Sequence, residues 1–165
     1  MVYKKFDFEN NEYTLEFQEI TLEIALKIDA QTYKEKEYLT INEITQFLKN
    51  VKYLILSDKE VIFDSIKHDF RSLNFNLIKI IYDKIKEEFC LDLTETQEFI
   101  HKCKLFLEAD NIDVPLEPEL FVAKNLFEKN LSLTYLEMMN MNCKKYEKII
   151  LALNILKNNS PESEK

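Results

Sequence analysis

The sequence predicts a mainly α fold: a helical bundle with an N-terminal β-hairpin, and so a small α+β character. Three observations carry this expectation. Apolar residues recur at steps of three and four through most of the chain. Helix-start signals precede several of those runs. Only the first residues, MVYKKFDFENNEYTLEFQE, alternate with period two.

That opening stretch places Phe6 and Phe8 on one face, then Tyr13, Leu15 and Phe17 on one face, with Asn10-Asn11 between them. Two strands, about Tyr3–Phe8 and Glu12–Glu19, joined by an Asn-Asn turn are expected. After Thr21 the period changes, and Leu22, Ala25, Leu26, Asp29 and Tyr33 follow helical spacing. In LTINEI, Thr40 can cap while Glu43 reaches back and Leu39 staples to Ile44, opening a stripe through Leu48, Val51 and Ile55. LSDKEV reads the same way, with Ser57 as cap, Glu60 closing the box and a stripe of Val61, Ile66 and Phe70. Two boxes so close together predict an antiparallel helix pair.

Asn74 restarts the chain, with a stripe of Leu77, Ile78, Ile81, Ile85 and Phe89. Thr94 with Gln97 then opens a helix to about Ala109. DNIDVPLEP interrupts the pattern with two prolines, so Asp110–Pro118 is the candidate hinge. It divides an N-terminal hairpin and bundle (1–109) from a C-terminal helical part (119–157), and NNSPESEK at 158–165 is expected to be a disordered tail. Pro118 suits the first turn of a helix running through Leu120, Ala123 and Phe127 to Asn130. A short helix around Thr134–Met139 and a last one from Cys143 to Lys157 complete the chain.

Composition narrows the function. The 165 residues contain no glycine, which removes the P-loop, the dinucleotide fingerprint, the nucleophile elbow and the usual calcium loop. Asparagine must take the left-handed positions, with Asn10, Asn11, Asn74, Asn111, Asn130 and Asn142 as candidates. A net charge of −8 and a single arginine, Arg71, argue against nucleic acid as a partner. Cys90, Cys103 and Cys143 have no framework spacing and read as reduced thiols. The start lacks an apolar signal region, and the longest apolar run, Ile149–Leu153, is too short to span a bilayer. A cytoplasmic protein without membrane association is expected.

Four groups were weighed for chemistry. His101 and Cys103, with Cys90, are the only metal-like set, yet on a helix the first two point about 200° apart. His68 with Asp64 and Asp69 could form a base and its orienting carboxylate, but a solvated face explains them better. The acids Glu87, Glu88, Asp92, Glu95, Asp110 and Asp113 fit helix ends and solubility more readily than a cation site. Arg71 reads as a surface residue closing a helix. No enzyme activity, cofactor or metal is therefore expected.

The remaining feature is LSLTYLEMMNMNCKKYEKIILALNI, where Met138, Met139 and Met141 form a soft elbow before an apolar helix. Methionine fills irregular cores and also serves adaptable binding surfaces. At least one, Met139 or Met141, is expected to be exposed, and changing both to Gln should leave the thermal midpoint nearly unchanged. Leu133, Tyr135, Leu136, Met138, Met139 and Met141 are the expected partner-binding residues.

Two stretches resemble a known group. The ending LFVAKNLFEKN followed by LSLTYLEMMNMNCKKYEKIILAL resembles the C-terminal region of baseplate-hub and tail-assembly proteins of large contractile-tailed phages, the likeness resting on the six elbow residues. The opening KKFDFENNEYTLEFQEIT with LEIALKID resembles small phage tail-assembly chaperones. Together these cover roughly the first 30 and last 45 residues, with Met141-Asn142 where the family elbow often carries a proline. The resemblance implies a non-enzymatic protein that binds a tail or baseplate component in the host cytoplasm, with retention in the virion left open. The chain could also self-associate. A small acidic regulator of a nucleic-acid enzyme, presenting carboxylates where a phosphate chain would lie, is the alternative expectation.

Overall fold

The computed structural model describes residues 1–28, 36, 38–108 and 117–159. The chain divides into two compact units, Met1–Phe89 and Cys90–Lys165. The expected hinge falls mostly at 110–116 and the expected tail mostly at 160–165, outside the described residues, as does the first helix beyond Ile28.

The N-terminal unit is mixed. A four-stranded antiparallel sheet has the order β1-β2-β3-β4, with β1 at Val2–Phe8, β2 at Asn11–Phe17, β3 at Tyr53–Ser57 and β4 at Glu60–Asp64. The first hairpin forms as its alternation predicts, pairing Phe6 with Tyr13 and Val2 with Phe17. Its turn lies one residue earlier than expected, on Glu9 and Asn10, both with positive φ. Helices α1 (Leu22–Ile28) and α2 (Ile41–Leu48) intervene between β2 and β3. α3 (Phe75–Lys86) closes the unit.

α2 begins where the sequence places it. Glu43 N–H donates to the Thr40 hydroxyl at 3.3 Å, and the Glu43 carboxylate accepts from the Thr40 amide at 2.8 Å. The Lys36 ammonium and the two Thr40 donors hold the Glu43 carboxyl down at about 2. Asn74 likewise caps α3 through Asn76 N–H at 2.9 Å. The core joins the inward residues Leu15, Phe17 and Ile55 with Phe47 and Leu48 of α2 and Ile81 and Ile85 of α3. Phe47 meets the Tyr82 ring edge-on at 4.8 Å.

The expected antiparallel helix pair is not formed. α2 stops at Leu48, and 53–64 is a β-hairpin instead of a helix capped by Ser57. Asp58 and Lys59 both take positive φ in the two-residue turn. Period two holds in β3, where Tyr53 and Ile55 are buried; β4, opposite a register shift between Ile55 and Leu56, instead buries Phe63 and Asp64 together and leaves Val61 and Ile62 56% and 55% exposed. The fold is thus α+β and mainly helical, with a full sheet where only one hairpin was expected.

The C-terminal unit is all helix among the described residues: α4 (Leu93–Glu108), α5 (Pro118–Glu128), α6 (Tyr135–Asn140) and α7 (Cys143–Asn158). Asp92, rather than Thr94, caps α4: Glu95 N–H donates to its carboxylate at 2.7 Å, and Glu95 accepts the Asp92 amide at 2.9 Å. α5 and α4 both pack on α7. Phe99 and Cys103 of α4, Leu120 and Ala123 of α5, and Ile149, Ala152 and Leu156 of α7 form the core. Ala123 and Ala152 are fully buried, and their small side chains let α5 and α7 approach closely. Lys144 of α7 pairs with Glu95 of α4 at 2.8 Å.

Candidate functional site: an apolar groove beside the methionine elbow

The elbow is built by successive caps. α5 ends in a left-handed turn at Asn130, φ 50°. Leu131 N–H donates to Leu126 C=O at 2.8 Å and Asn130 N–H to Phe127 C=O at 3.2 Å. This is a Schellman ending with asparagine in the usual glycine position. Thr134 then caps α6, its hydroxyl accepting from Glu137 N–H at 3.3 Å, while Thr134 N–H donates to the Glu137 carboxylate at 2.8 Å. The Thr134 hydroxyl and amide hold the Glu137 carboxyl below its ordinary value. α6 stops at Asn140, and Asn142 caps α7 through Lys145 N–H at 3.2 Å.

These turns leave a groove of about 490 Å³ within the C-terminal unit, lined by Leu126, Phe127, Asn130, Leu131, Ser132, Leu133, Met138, Tyr146, Ile150, Leu153 and Lys157. Tyr146, Ile150, Leu153 and Lys157 follow steps of four, three and four along one face of α7. The neighbouring face, about 100° round the helix, carries Ile149, Ala152 and Leu156 and fills the core. A largely apolar wall with a few polar groups and this volume falls in the range of ligand pockets.

The expected binding residues separate into three groups. Leu133 and Met138 line the groove. Tyr135 and Leu136 stand in solvent, 72% and 70% exposed. Met139 and Met141 are half-buried, and Met141 packs against the core. Neither of these two methionines is the freely exposed side chain expected; the α6–α7 turn folds Met141 inward, and the apolar exposure passes to Tyr135 and Leu136. Six apolar or aromatic groove residues were missed: Leu126, Phe127, Leu131, Tyr146, Ile150 and Leu153. The second stripe on α7 was their signal.

The other candidates are largely occupied by local structure. Asp64 and His68 do come together, but in a turn after β4, not along a helix. The Asp64 carboxylate accepts from Ile66 N–H at 2.9 Å, and that bond, with Lys67 at 3.6 Å, keeps its carboxyl low. His68 Nδ1 accepts from Asp64 N–H at 3.3 Å, so the carboxylate does not orient the ring. Arg71 lies in a 3₁₀ turn, Phe70–Ser72, after the hairpin, not at the end of a long helix.

His68 and Arg71, though not Asp64, line a second cavity, of about 420 Å³, within the N-terminal unit. Tyr53 also lines it, 3% exposed, and its buried hydroxyl has no hydrogen-bond partner among the described residues. Leaving such a group unmet costs about 1–3 kcal/mol. Burial pushes the Tyr53 phenol up to about 12.

On α4, His101 is exposed while Cys103 is buried, so the two face apart as their spacing predicts. Burial, with Glu117 and Glu119 nearby, pushes the Cys103 thiol up to about 11; burial, with Glu147 and Cys90, pushes Cys143 to about 12. No three metal-ligating side chains converge among the described residues. Glu87 and Glu88 pair with Lys4 at 3.4 and 2.6 Å, and Asp92 and Glu95 are taken up by the α4 cap. Among the described residues no helix is long and apolar enough to cross a membrane.

No protein-family model matches the chain, and no curated protein or solved structure matches it.

Proposed function

We propose that the chain is a non-enzymatic protein-interaction module whose C-terminal groove takes an apolar segment of a partner protein. The observation that carries this reading is the groove between α5, the 131–133 link, α6 and α7, with Tyr135 and Leu136 exposed on the same short helix as Met138. Isolated exposed apolar residues are ordinary in monomers. A concave apolar wall accompanied by an exposed Tyr-Leu pair is the form of a binding surface. The occupant is a segment bearing two or three large apolar side chains, read as anchors in the groove. Methionine and leucine at its rim accommodate different anchor shapes.

In the phage-assembly reading, the partner is a tail or baseplate component and the module shields or joins its apolar surface in the host cytoplasm. That part rests on the sequence resemblance of the elbow. The test is capture of partners on wild-type protein and on Ile150→Glu, at low and high salt. A tail or baseplate protein held by wild type at both salts, and lost with Ile150→Glu, supports the reading. A partner released by salt and indifferent to Ile150→Glu would replace it with the acidic-regulator alternative.

A further inference from the structure

We propose that the cavity of the N-terminal unit, behind the β3–β4 hairpin, is a binding site for a small phosphate monoester. It lies in the other unit from the apolar groove and does not depend on that reading.

The argument starts from charge. The chain carries 30 acidic and 22 basic residues, so an isolated basic cavity is not what composition alone would produce. Yet Lys49, Lys52, His68 and Arg71, the single arginine of the sequence, all line this one cavity. Among the described residues Asp69 is its only carboxylate, and that group is already engaged, accepting from Arg71 N–H at 3.0 Å to cap the 3₁₀ turn. None of the ion pairs among the described residues involves Lys49, Lys52 or Arg71. Three cations that forgo abundant carboxylates and gather at one concavity raise the local potential for an anion. A guanidinium matches phosphate oxygens in a bidentate fork, and ammonium groups add point charge.

A neutral donor agrees. Because His68 Nδ1 accepts the Asp64 amide, the proton of its neutral ring sits on Nε2, which can donate. Tyr53 lines the same wall with its hydroxyl shielded from solvent, so it gives the cavity surface and no accessible donor. Phe63 and Phe70 supply apolar surface, with Lys49 Nζ 5.8 Å from the Phe70 ring centre. A volume of about 420 Å³ leaves room for an organic group beyond the phosphate. These features favour a small monoester over bare phosphate or an extended polyanion.

The test is amide and side-chain NMR titration of the full chain with inorganic phosphate, phenyl phosphate and, as a control, benzoate. Saturable shifts at Lys52, Tyr53, His68 and Arg71 are expected with phenyl phosphate, weaker ones with phosphate, and none with benzoate. Lys52→Gln with Arg71→Gln should raise the phenyl phosphate Kd at least tenfold. Both side chains are exposed, so the unshifted spectrum elsewhere checks that the fold is kept. Absence of saturable shifts overturns the proposal, as does binding that survives the double substitution. Equal response to benzoate would mark a general anion patch and also overturns it.

Discussion

Replacing Lys59 by glycine should stabilise the N-terminal unit. The β3–β4 turn places Asp58 and Lys59 at φ 48° and 70°, the left-handed backbone that a type I′ hairpin turn needs at both central positions. Aspartate tolerates that region; lysine has no local hydrogen bond to offset the clash of its Cβ, about 1–2 kcal/mol. Glycine removes the clash but loses roughly 0.5–1 kcal/mol through its freer unfolded state. At the middle of both ranges the net gain is about 0.75 kcal/mol. For a unit the size of Met1–Phe89 that corresponds to a midpoint rise of roughly 3–6 °C. Calorimetry of the full chain, with amide exchange to assign the transition to β3 and β4, would measure it. Lys59→Ala is the control and should give no rise, since alanine keeps the Cβ. A fall in the midpoint with glycine, or an equal rise with alanine, would refute the turn geometry.

Three further outcomes follow. Ile149→Ala removes a fully buried side chain facing Ala123 and Leu120 in the C-terminal core and should cost about 2–5 kcal/mol in chemical denaturation, whereas a loss under 1 kcal/mol would place Ile149 outside the core. The Glu43 carboxyl, depressed in the folded state, contributes stability that is complete above its ordinary value near 4.5 and is lost as pH falls toward about 2. Its carboxyl resonance should therefore titrate near 2, with α2 amide protection falling over that interval; an inflection near 4.5 would show that the capping box is absent in solution. Cys90, the half-exposed thiol, should be alkylated well before the buried Cys103 and Cys143, whose thiols are held up at about 11 and 12, and equal rates would contradict the helix packing.

How much of this was legible in the sequence depended on which signals glycine normally provides. Start signals written in side chains were readable: Thr40–Glu43, Asn74 and Pro118 lie where their hydrogen bonds or φ preference place them, whereas Thr134, expected inside its short helix, is the cap of that helix and boxes with Glu137. The β3–β4 hairpin was hidden because its turn is Asp-Lys, with no Asn-Gly or Asp-Gly to announce it. Ser57 and Glu60 meanwhile imitate a capping box. The tie-breaker was the alternation of Tyr53 and Ile55 in β3, which tertiary burial selects and local spacing does not reveal. At α4 a stronger acceptor two residues upstream, Asp92, displaced Thr94. The groove was half legible. The elbow pointed to Leu133 and Met138, but Ile150 and Leu153 sit in an apolar run whose core-facing and groove-facing stripes overlap in sequence. The basic cavity could not be foreseen, because Lys49, Lys52 and Arg71 converge only once 53–64 folds as a hairpin.

The most direct measurement for the interaction reading is photo-crosslinking from a benzoylphenylalanine placed at Leu136, followed by titration of the crosslinked partner segment, as a peptide, against wild type and Ile150→Glu. The account predicts one apolar segment, a Kd little changed by salt, and a loss of about 30-fold or more with Ile150→Glu, as for a central anchor worth roughly 2 kcal/mol. A polar or acidic segment, or an affinity untouched by Ile150→Glu, would contradict it.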